Sequence, residues 1–210
     1  LRLSEERFQR ESGEAGAQAF LVPSVSLSKL DSRGGLDPIR GFNQQYQIEA
    51  ASRDFFSDAD FLLLRANWRH LTTLSKRHMF LTRLELGHII SPDFSNVPPS
   101  TRFYAGGDSS VRGYDYRSIS PLNAAGDSIG GQNLVAGSLE YAWRWLPTWR
   151  PAVFIDAGNA YTGSWQPLKI GAGVGIRWIS PVGPVRFDIA SAISEPGKPL
   201  RLHLTLGAAL

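Results

Sequence analysis

The chain has 210 residues, and its 22 basic and 19 acidic residues leave a net charge of +3. So balanced a charge argues against a nucleic-acid-binding surface, and the absence of cysteine excludes disulfide scaffolds and thiolate metal sites. Its apolar runs are too short for a transmembrane helix, which leaves a soluble β protein or a transmembrane β-barrel.

The first residues, Leu1 to Arg7, contain neither an initiator Met nor the charged and apolar regions of an export signal. An outer-membrane protein requires such a signal. We therefore expect the signal to lie upstream and this chain to be a piece of a longer protein.

Alternation of apolar and polar residues with a period of two predicts about ten β-strands and no convincing helix. Two weaker candidates come first, at 1–9 and 19–30, and the second contains Pro23. The apolar faces of the stronger candidates are, in chain order, Tyr46, Ile48, Ala50; Leu62, Leu64, Ala66, Trp68; Thr82, Leu84, Leu86; Leu139, Tyr141, Trp143, Trp145; Val153, Ile155, Ala157; Ile170, Ala172, Val174, Ile176, Trp178; Val185, Phe187, Ile189; and Leu200, Leu202, Leu204, Leu206. This spacing indicates an all-β, antiparallel fold.

The composition of the strand faces separates the two β classes. The polar faces carry Gly, Ser, Arg, Asp, Glu and Gln, and lysine is rare in the whole chain. Trp68, Trp145 and Trp178 each close an apolar face, as residues of an aromatic belt at a membrane interface do. We therefore predict a transmembrane β-barrel of the bacterial outer membrane whose apolar face contacts lipid. The alternative is a soluble β-sandwich.

The connections between the predicted strands differ in length. The one around Pro147 is tight, whereas the residues from about 91 to 132 form a long segment without periodicity. Compact domains rarely keep so long an irregular connection unless it has a function, and transmembrane barrels have short turns at one end and long loops at the other. We predict that this long loop is the functional element.

A motif inside the long loop points to a family. It is a glycine pair followed by a tetrapeptide, made of Gly106, Gly107, Val111, Arg112, Gly113 and Tyr114. It resembles the sixth-loop signature of the BamA/TamA superfamily of outer-membrane insertases, a Val/Ile-Arg-Gly-Phe/Tyr sequence after a glycine pair. Five predicted strands follow the loop, as the sixteen-stranded barrel of that family requires.

Two further motifs agree with this resemblance. Phe154, Asp156 and Gly158 match the family's Phe-x-Asp-x-Gly strand motif, and residues 175–188 are similar to its penultimate hairpin. The resemblance covers roughly residues 100–210, and its nearest subfamily is TamA, the translocation and assembly module. It implies that residues 1–210 are the C-terminal portion of the barrel domain, without the first strands and the periplasmic domains.

The resemblance also implies that the long loop folds into the barrel lumen, where Arg112 meets Asp156. Asp156 lies on the polar face of its strand, and a bidentate pair with an arginine would be strong in a partly dehydrated space. Alternatively, Arg112 is a solvated loop residue and Asp156 pairs with Arg177 or Arg186. Inner-face glycines at 171, 173 and 175 leave space for a loop, although they also soften the strand.

The last predicted strand is similar to an outer-membrane β-signal, although the chain ends Ala-Ala-Leu instead of with an aromatic residue. In the family this strand pairs poorly with the first barrel strand and forms a seam that can open. An opened seam would offer its free backbone groups to a client strand. The resemblance assigns this role to Leu202, Leu204, Leu206, Gly207 and Leu210.

The function that the resemblance implies is assembly and insertion of outer-membrane proteins, with autotransporters among the clients and a partner anchored in the inner membrane. It implies neither a cofactor, a metal nor catalysis. Pores for two-partner secretion, passive pores and barrels of surface-antigen fusions share the loop motif and remain alternatives. For an enzyme, His70, His78, His88 and His203 lie on strand-like segments without a G-x-S-x-G elbow nearby.

Ten strands cannot close a sixteen-stranded barrel. A sheet with unpaired edges must close on itself or pair with another copy. We therefore predict an open edge near residues 1 to 30 and self-association of the chain through such edges.

Overall fold

The computed structural model of the protein describes residues 2–9, 15–35, 37–181 and 183–207. Its eleven strands are β1 (Arg2–Gln9), β2 (Ala15–Val22), β3 (Ser24–Arg33), β4 (Arg40–Ala51), β5 (Phe61–Leu74), β6 (His78–Ile90), β7 (Asn133–Trp143), β8 (Trp149–Tyr161), β9 (Lys169–Ser180), β10 (Gly183–Ala192) and β11 (Leu200–Leu206). In the described residues the only helical elements are two single 3₁₀ turns, Arg53–Phe55 and Phe94–Asn96. The prediction of an all-β, antiparallel fold is confirmed, with eleven strands in place of about ten.

Strands β3 to β11 form one sheet in which each strand pairs with its neighbours in sequence, while β1 and β2 form a separate two-stranded sheet. Within the described ranges, neither β3 nor β11 has a partner on its outer side, so the large sheet is open. The edge that we predicted near residues 1 to 30 lies at β3. Self-association through it stays a prediction.

The register of the sheet separates an apolar face from a polar one. Ser138 lies opposite Asp156, which lies opposite Gly171, and we call the face that carries these residues the inner face. On the opposite, outer face, Ile155 is 50% exposed and Leu202 is 68% exposed. A soluble β-sandwich would bury this face in its core. A continuous apolar outer face is instead typical of a barrel that lipid surrounds.

The predicted strand at 19–30 is in fact two strands, because Pro23 interrupts it. Proline has no N–H to donate to a strand ladder, so β2 ends before it and β3 begins after it. Strand β2 lies outside the main sheet. Its residues Phe20 and Val22 are buried in a core that includes Phe61. Leu21 is held there because its N–H donates to Ser57 Oγ over 3.0 Å.

The turns at the two ends of the sheet differ in length, as we predicted. At one end are 34–39, 75–77, 144–148 and 181–182, and at the other are 52–60, 91–132, 162–168 and 193–199. Strand β7 stops at Trp143, so Trp145 lies in a short turn instead of closing the strand's apolar face, and it is exposed there. The long loop enters from the end with the longer connections.

No helix among the described residues has the length and apolar character needed to cross a membrane.

Candidate functional site

The long loop, residues 91–132, packs on the inner face of the sheet. Three isolated β-bridges order it, between Phe103 and Gly131, Ala105 and Ile119, and Leu122 and Ser128. Its apolar side chains share a core with inner-face residues of the strands, and the loop members of that core are Val97, Phe103, Ala105, Val111, Tyr114 and Ile119. The loop is therefore a folded part of the interior.

Arg102 holds the base of the long loop together. Its guanidinium donates to the carbonyl oxygens of Val97 at 2.9 Å, Ile129 at 3.1 Å and Ser95 at 2.9 Å, and it lies 4.8 Å from the ring centroid of Phe94. Its planar group with five N–H donors suits such a set of acceptors. Arg102 thus joins both arms of the loop, a role that we did not predict.

The tip of the loop is a tight turn that depends on glycine. Gly107 accepts a hydrogen bond from the N–H of Ser110 at 3.1 Å, and its own N–H donates to Val111 at 3.2 Å. Both Gly106 and Gly107 have a positive φ, near +100°, which side chains other than that of glycine rarely allow. The turn delivers Val111 and Arg112 to the inner face.

Arg112 is buried against Asp156 of β8. Its Nε and Nη2 atoms donate to the two carboxylate oxygens at 2.8 and 3.0 Å, and its backbone N–H donates to the same carboxylate at 3.0 Å. Arg112 is 2% exposed and Asp156 is 0% exposed. The alternative of a solvated loop arginine does not describe this geometry.

Arg112 also reaches two further carboxylates. Its Nη1 atom donates to Glu140 of β7 at 2.9 Å and to Asp188 of β10 at 3.0 Å. Arg177 of β9 donates to the same two carboxylates at 2.8 and 2.6 Å. We call these five residues, including Asp156, the Arg112 cluster. Through it one loop residue is joined to four adjacent strands.

The electrostatics of the cluster keep Arg112 charged. Burial lowers the pKa of Arg112, but the hydrogen bonds and charge of Asp156, with the charges of Glu140 and Asp188, outweigh burial and raise the pKa above its ordinary value. A buried ion cluster is weak support for stability by itself, because desolvation offsets much of the attraction. Its geometry, however, specifies a single position for the loop.

The three residues of the Phe-x-Asp-x-Gly motif are spaced by two and so share the inner face of β8. Phe154 places its ring centroid 3.4 Å from the guanidinium carbon of Arg112, and Asp156 binds the guanidinium. Gly158 lies under Val111, since an added Cβ would be 2.9 Å from a Val111 methyl group. Each motif residue therefore contacts the loop tip.

Gly113 and Tyr114 continue the contact toward β9 and β10. Gly113 has a φ of +94°, and an added Cβ would lie 2.7 Å from the backbone of Ser191. Tyr114 is 7% exposed, and its hydroxyl donates to the carbonyl of Ile170 at 3.4 Å. Both residues hold the long loop against the inner face of the sheet.

The outcomes for the other predicted positions are mixed. The structure brings the loop motif and the β8 motif together, whereas Leu202, Leu204 and Leu206 lie on the outer face, away from them. Gly207 follows β11 with a φ of +122°, and Leu210 lies outside the described residues. Asp156 pairs with Arg112 and, at 3.6 Å, with Arg83, while the predicted alternative Arg177 pairs with other carboxylates.

We expect Arg102→Gln to loosen the long loop. Glutamine cannot bridge both arms, and the loss of several charge-assisted hydrogen bonds should cost about 2–3 kcal/mol. Limited proteolysis of the membrane-embedded protein should then cleave residues 91–132 much faster than in the wild type. Arg77→Ala, at an exposed arginine in the turn 75–77, is the matched control and should leave cleavage unchanged. Equal cleavage in all three proteins would contradict the role of Arg102.

Comparison with known proteins assigns the family. Residues 7–209 match the family model of the Omp85 superfamily domain. The outer membrane protein assembly factor BamA of Nitratidesulfovibrio vulgaris is 34% identical over 146 residues, which cover 66% of this chain and 18% of that protein. The chain thus spans less than a fifth of this curated relative.

Solved structures agree on the fold. The crystal structure of BamA from Haemophilus ducreyi lacking POTRA domains 1-3 superposes with a TM-score of 0.78 at 22% identity, covering 93% of this chain and 43% of that one. CdiB from Acinetobacter baumannii superposes with a TM-score of 0.59 at 16% identity, covering 90% of this chain and 33% of that one.

These comparisons confirm the superfamily, the barrel fold and the outer-membrane location that the sequence predicted. None of them tests the TamA subfamily, which stays a prediction. The chain belongs to the Omp85 superfamily and forms part of an outer-membrane β-barrel whose inner face binds the long loop.

Proposed function

We propose that the barrel to which this chain contributes assembles other proteins into the outer membrane, and that client strands add to the outer edge of β11. The observation that supports the proposal is that β11, whose strand partner among the described residues is β10, has its inner face against the loop fixed by the Arg112 cluster. Unpaired N–H and C=O groups on a strand edge form a template for strand addition.

The hydrogen bonds of β11 identify which of its backbone groups face away from β10. The N–H of Gly207 donates to Pro184 at 2.9 Å, and the N–H of Ala192 donates to Pro199 at 3.1 Å. By the register of β10 and β11, odd-numbered β11 residues therefore bond β10, and Leu200, Leu202, Leu204 and Leu206 present their backbone groups at the edge. Their side chains lie on the outer face, so edge and lipid surface are formed by the same residues.

A role in outer-membrane protein assembly is supported by the similarity to BamA of Nitratidesulfovibrio vulgaris, an outer membrane protein assembly factor that is 34% identical over the matched residues. Within this proposal, autotransporters are the predicted clients, and a protein anchored in the inner membrane is the predicted partner. Both follow from the resemblance to TamA. A survey of which outer-membrane proteins fail to assemble in cells lacking the protein would test them.

Leu204→Pro should impair client assembly. The substitution removes an N–H that faces away from β10 and leaves the hydrogen bonds to β10 in place, while Leu204→Ala shortens only the side chain. Loss of a hydrogen bond of about 1 kcal/mol corresponds to about a fivefold change in rate if that bond forms in the rate-limiting step. The complete protein in liposomes, given a urea-denatured outer-membrane barrel as client, should show this slowing by gel mobility.

Three outcomes separate the candidates. Slower folding with Leu204→Pro and nearly normal folding with Leu204→Ala supports strand addition. Equal rates for both variants and the wild type contradict it. Steady ion conductance of the wild-type protein, with no acceleration of client folding, favours a secretion or passive pore instead.

A further inference from the structure

The inner face of β11 contacts the long loop through two side chains. Arg201 donates to the carboxylate of Asp115 at 2.6 Å, but both residues of this pair are substantially exposed. His203 is 6% exposed and lies between Asp108 and Gly113, the two ends of the turn that carries Arg112. The hydrogen bond between Gly113 and His203 is buried, whereas Asp108, the other partner of His203, is half exposed.

The hydrogen-bond partners of His203 indicate its tautomer. The N–H of Gly113 donates to Nε2 of His203 at 3.0 Å, so Nε2 must carry a lone pair. The ring proton then lies on Nδ1, which donates to the Asp108 carboxylate. One imidazole thus connects a backbone N–H of the loop tip to a carboxylate of the same loop, with β11 as its support.

We infer that His203 is a positioning residue through which the long loop holds β11 in the sheet, so that release of the loop and opening of the β11 edge are coupled. This inference rests on the proposed function, because it concerns the strand that would receive clients.

The geometry of β11 explains why such a contact has a large effect. β11 is the shortest strand of the large sheet, and β10 is its only strand partner among the described residues. A strand this short forms few hydrogen bonds with β10 and therefore opens locally at lower free energy than the longer strands of the sheet. The other attachment of its inner face is the loop, and the loop is itself fixed to β7, β8 and β10 by Arg112.

Hydrogen–deuterium exchange of the complete protein in detergent, without any client, tests the inference. His203→Phe keeps a ring of similar size but loses both polar contacts, whereas His203→Gln keeps an acceptor for Gly113. We expect the amides of residues 201, 203 and 205, which bond β10, to exchange about three to ten times faster in His203→Phe. In His203→Gln we expect exchange within twofold of the wild type.

A general loss of stability would accelerate exchange in other strands as well. If His203→Phe also accelerated exchange in β8, the residue would serve general stability, and the inference would be wrong. Unchanged exchange in β11 would overturn it as well. His88→Phe on β6 is the matched control, because Nδ1 of His88 lies 2.7 Å from Oδ1 of Asn133 and contacts neither the loop tip nor β11, and it should leave exchange in β11 unchanged.

The same variants separate this inference from the proposed function. A wild-type protein that fails to assemble clients contradicts the proposed function, whatever the exchange rates are. Faster exchange of β11 together with an altered rate of client assembly supports the coupling. Faster exchange with an unaltered rate of assembly by an active protein contradicts it.

Discussion

Replacing Arg112 by alanine is expected to destabilise the barrel by about 3–5 kcal/mol, the usual cost of removing one partner from a buried ion pair. The cost arises because Asp156 is 0% exposed and, among the described residues, would keep Arg83, at 3.6 Å, as its one charged partner. Glu140 and Asp188 would still have Arg177. Urea unfolding of the complete protein in detergent, followed by tryptophan fluorescence, measures the difference.

A double-mutant cycle isolates the pair. Asp156→Ala should be destabilising by itself, since it leaves the Arg112 guanidinium with two of its three carboxylates. Because each single variant already removes the interaction between Arg112 and Asp156, the double variant should lose less free energy of unfolding than the sum of the two. The rate of client assembly should fall in the same order as the free energy of unfolding of these variants.

Lysine at position 112 should not restore stability. One ammonium group cannot donate along two parallel bonds to Asp156 and also reach Glu140 and Asp188, as the guanidinium does. Arg77→Ala controls for the loss of an arginine in general. If both Arg112→Ala and Asp156→Ala unfold and assemble clients as the wild type does, the cluster does not fix the position of the loop.

Much of this fold could be predicted, because its two dominant signals are local. Alternation with a period of two marks any strand with one polar face, and it identified β4 to β11, although the ends of several strands extend up to about six residues beyond the predicted faces. The absence of that alternation marked the long loop at 91–132. The resemblance then supplied the pair of Arg112 and Asp156, which are 44 residues apart and have no local signal linking them.

The remainder could not be predicted, since it depends on register. Glu140 and Asp188 are ordinary inner-face acids in the sequence, and only the pairing of β7 with β8 and of β9 with β10 brings them to Arg112. His203 gave no signal beyond its inward position. A search for inner-face acids at the level of Asp156 in the neighbouring strands would have found the first two.

The corner at Pro23 was missed for a different reason. Both β2 and β3 have extended backbone, so a run of strand-like residues continues through the corner. Only the missing N–H of proline separates the two, and a single proline is also compatible with an edge strand.

Gly171→Ala is expected to displace the long loop although it adds only one methyl group. Gly171 lies opposite Asp156 on the inner face, directly beneath the backbone of Arg112. An added Cβ would lie 3.1 Å from the carbonyl carbon of Arg112 and would overlap its oxygen. Because the clash is with backbone, a rotamer change cannot relieve it, and either the loop or β9 must move.

Moving the loop backbone by about 1 Å would break the hydrogen bond from the Arg112 N–H and misalign the guanidinium with Asp156. We therefore expect a loss of about 3–5 kcal/mol, the same cost as removing the pair. Limited proteolysis should show faster cleavage in 91–132. Gly137→Ala on β7 is the matched control, since its added Cβ would meet nothing nearer than 3.7 Å.

Combining the two substitutions identifies the mechanism. If Gly171→Ala acts by displacing Arg112, then Arg112→Ala added to it should cost little more, because the pair is already broken. If the methyl group instead strains β9 independently of the loop, the two losses should add. Additive losses, or a Gly171→Ala protein as stable as Gly137→Ala, would mean that the loop backbone does not lie against β9 where the structure places it.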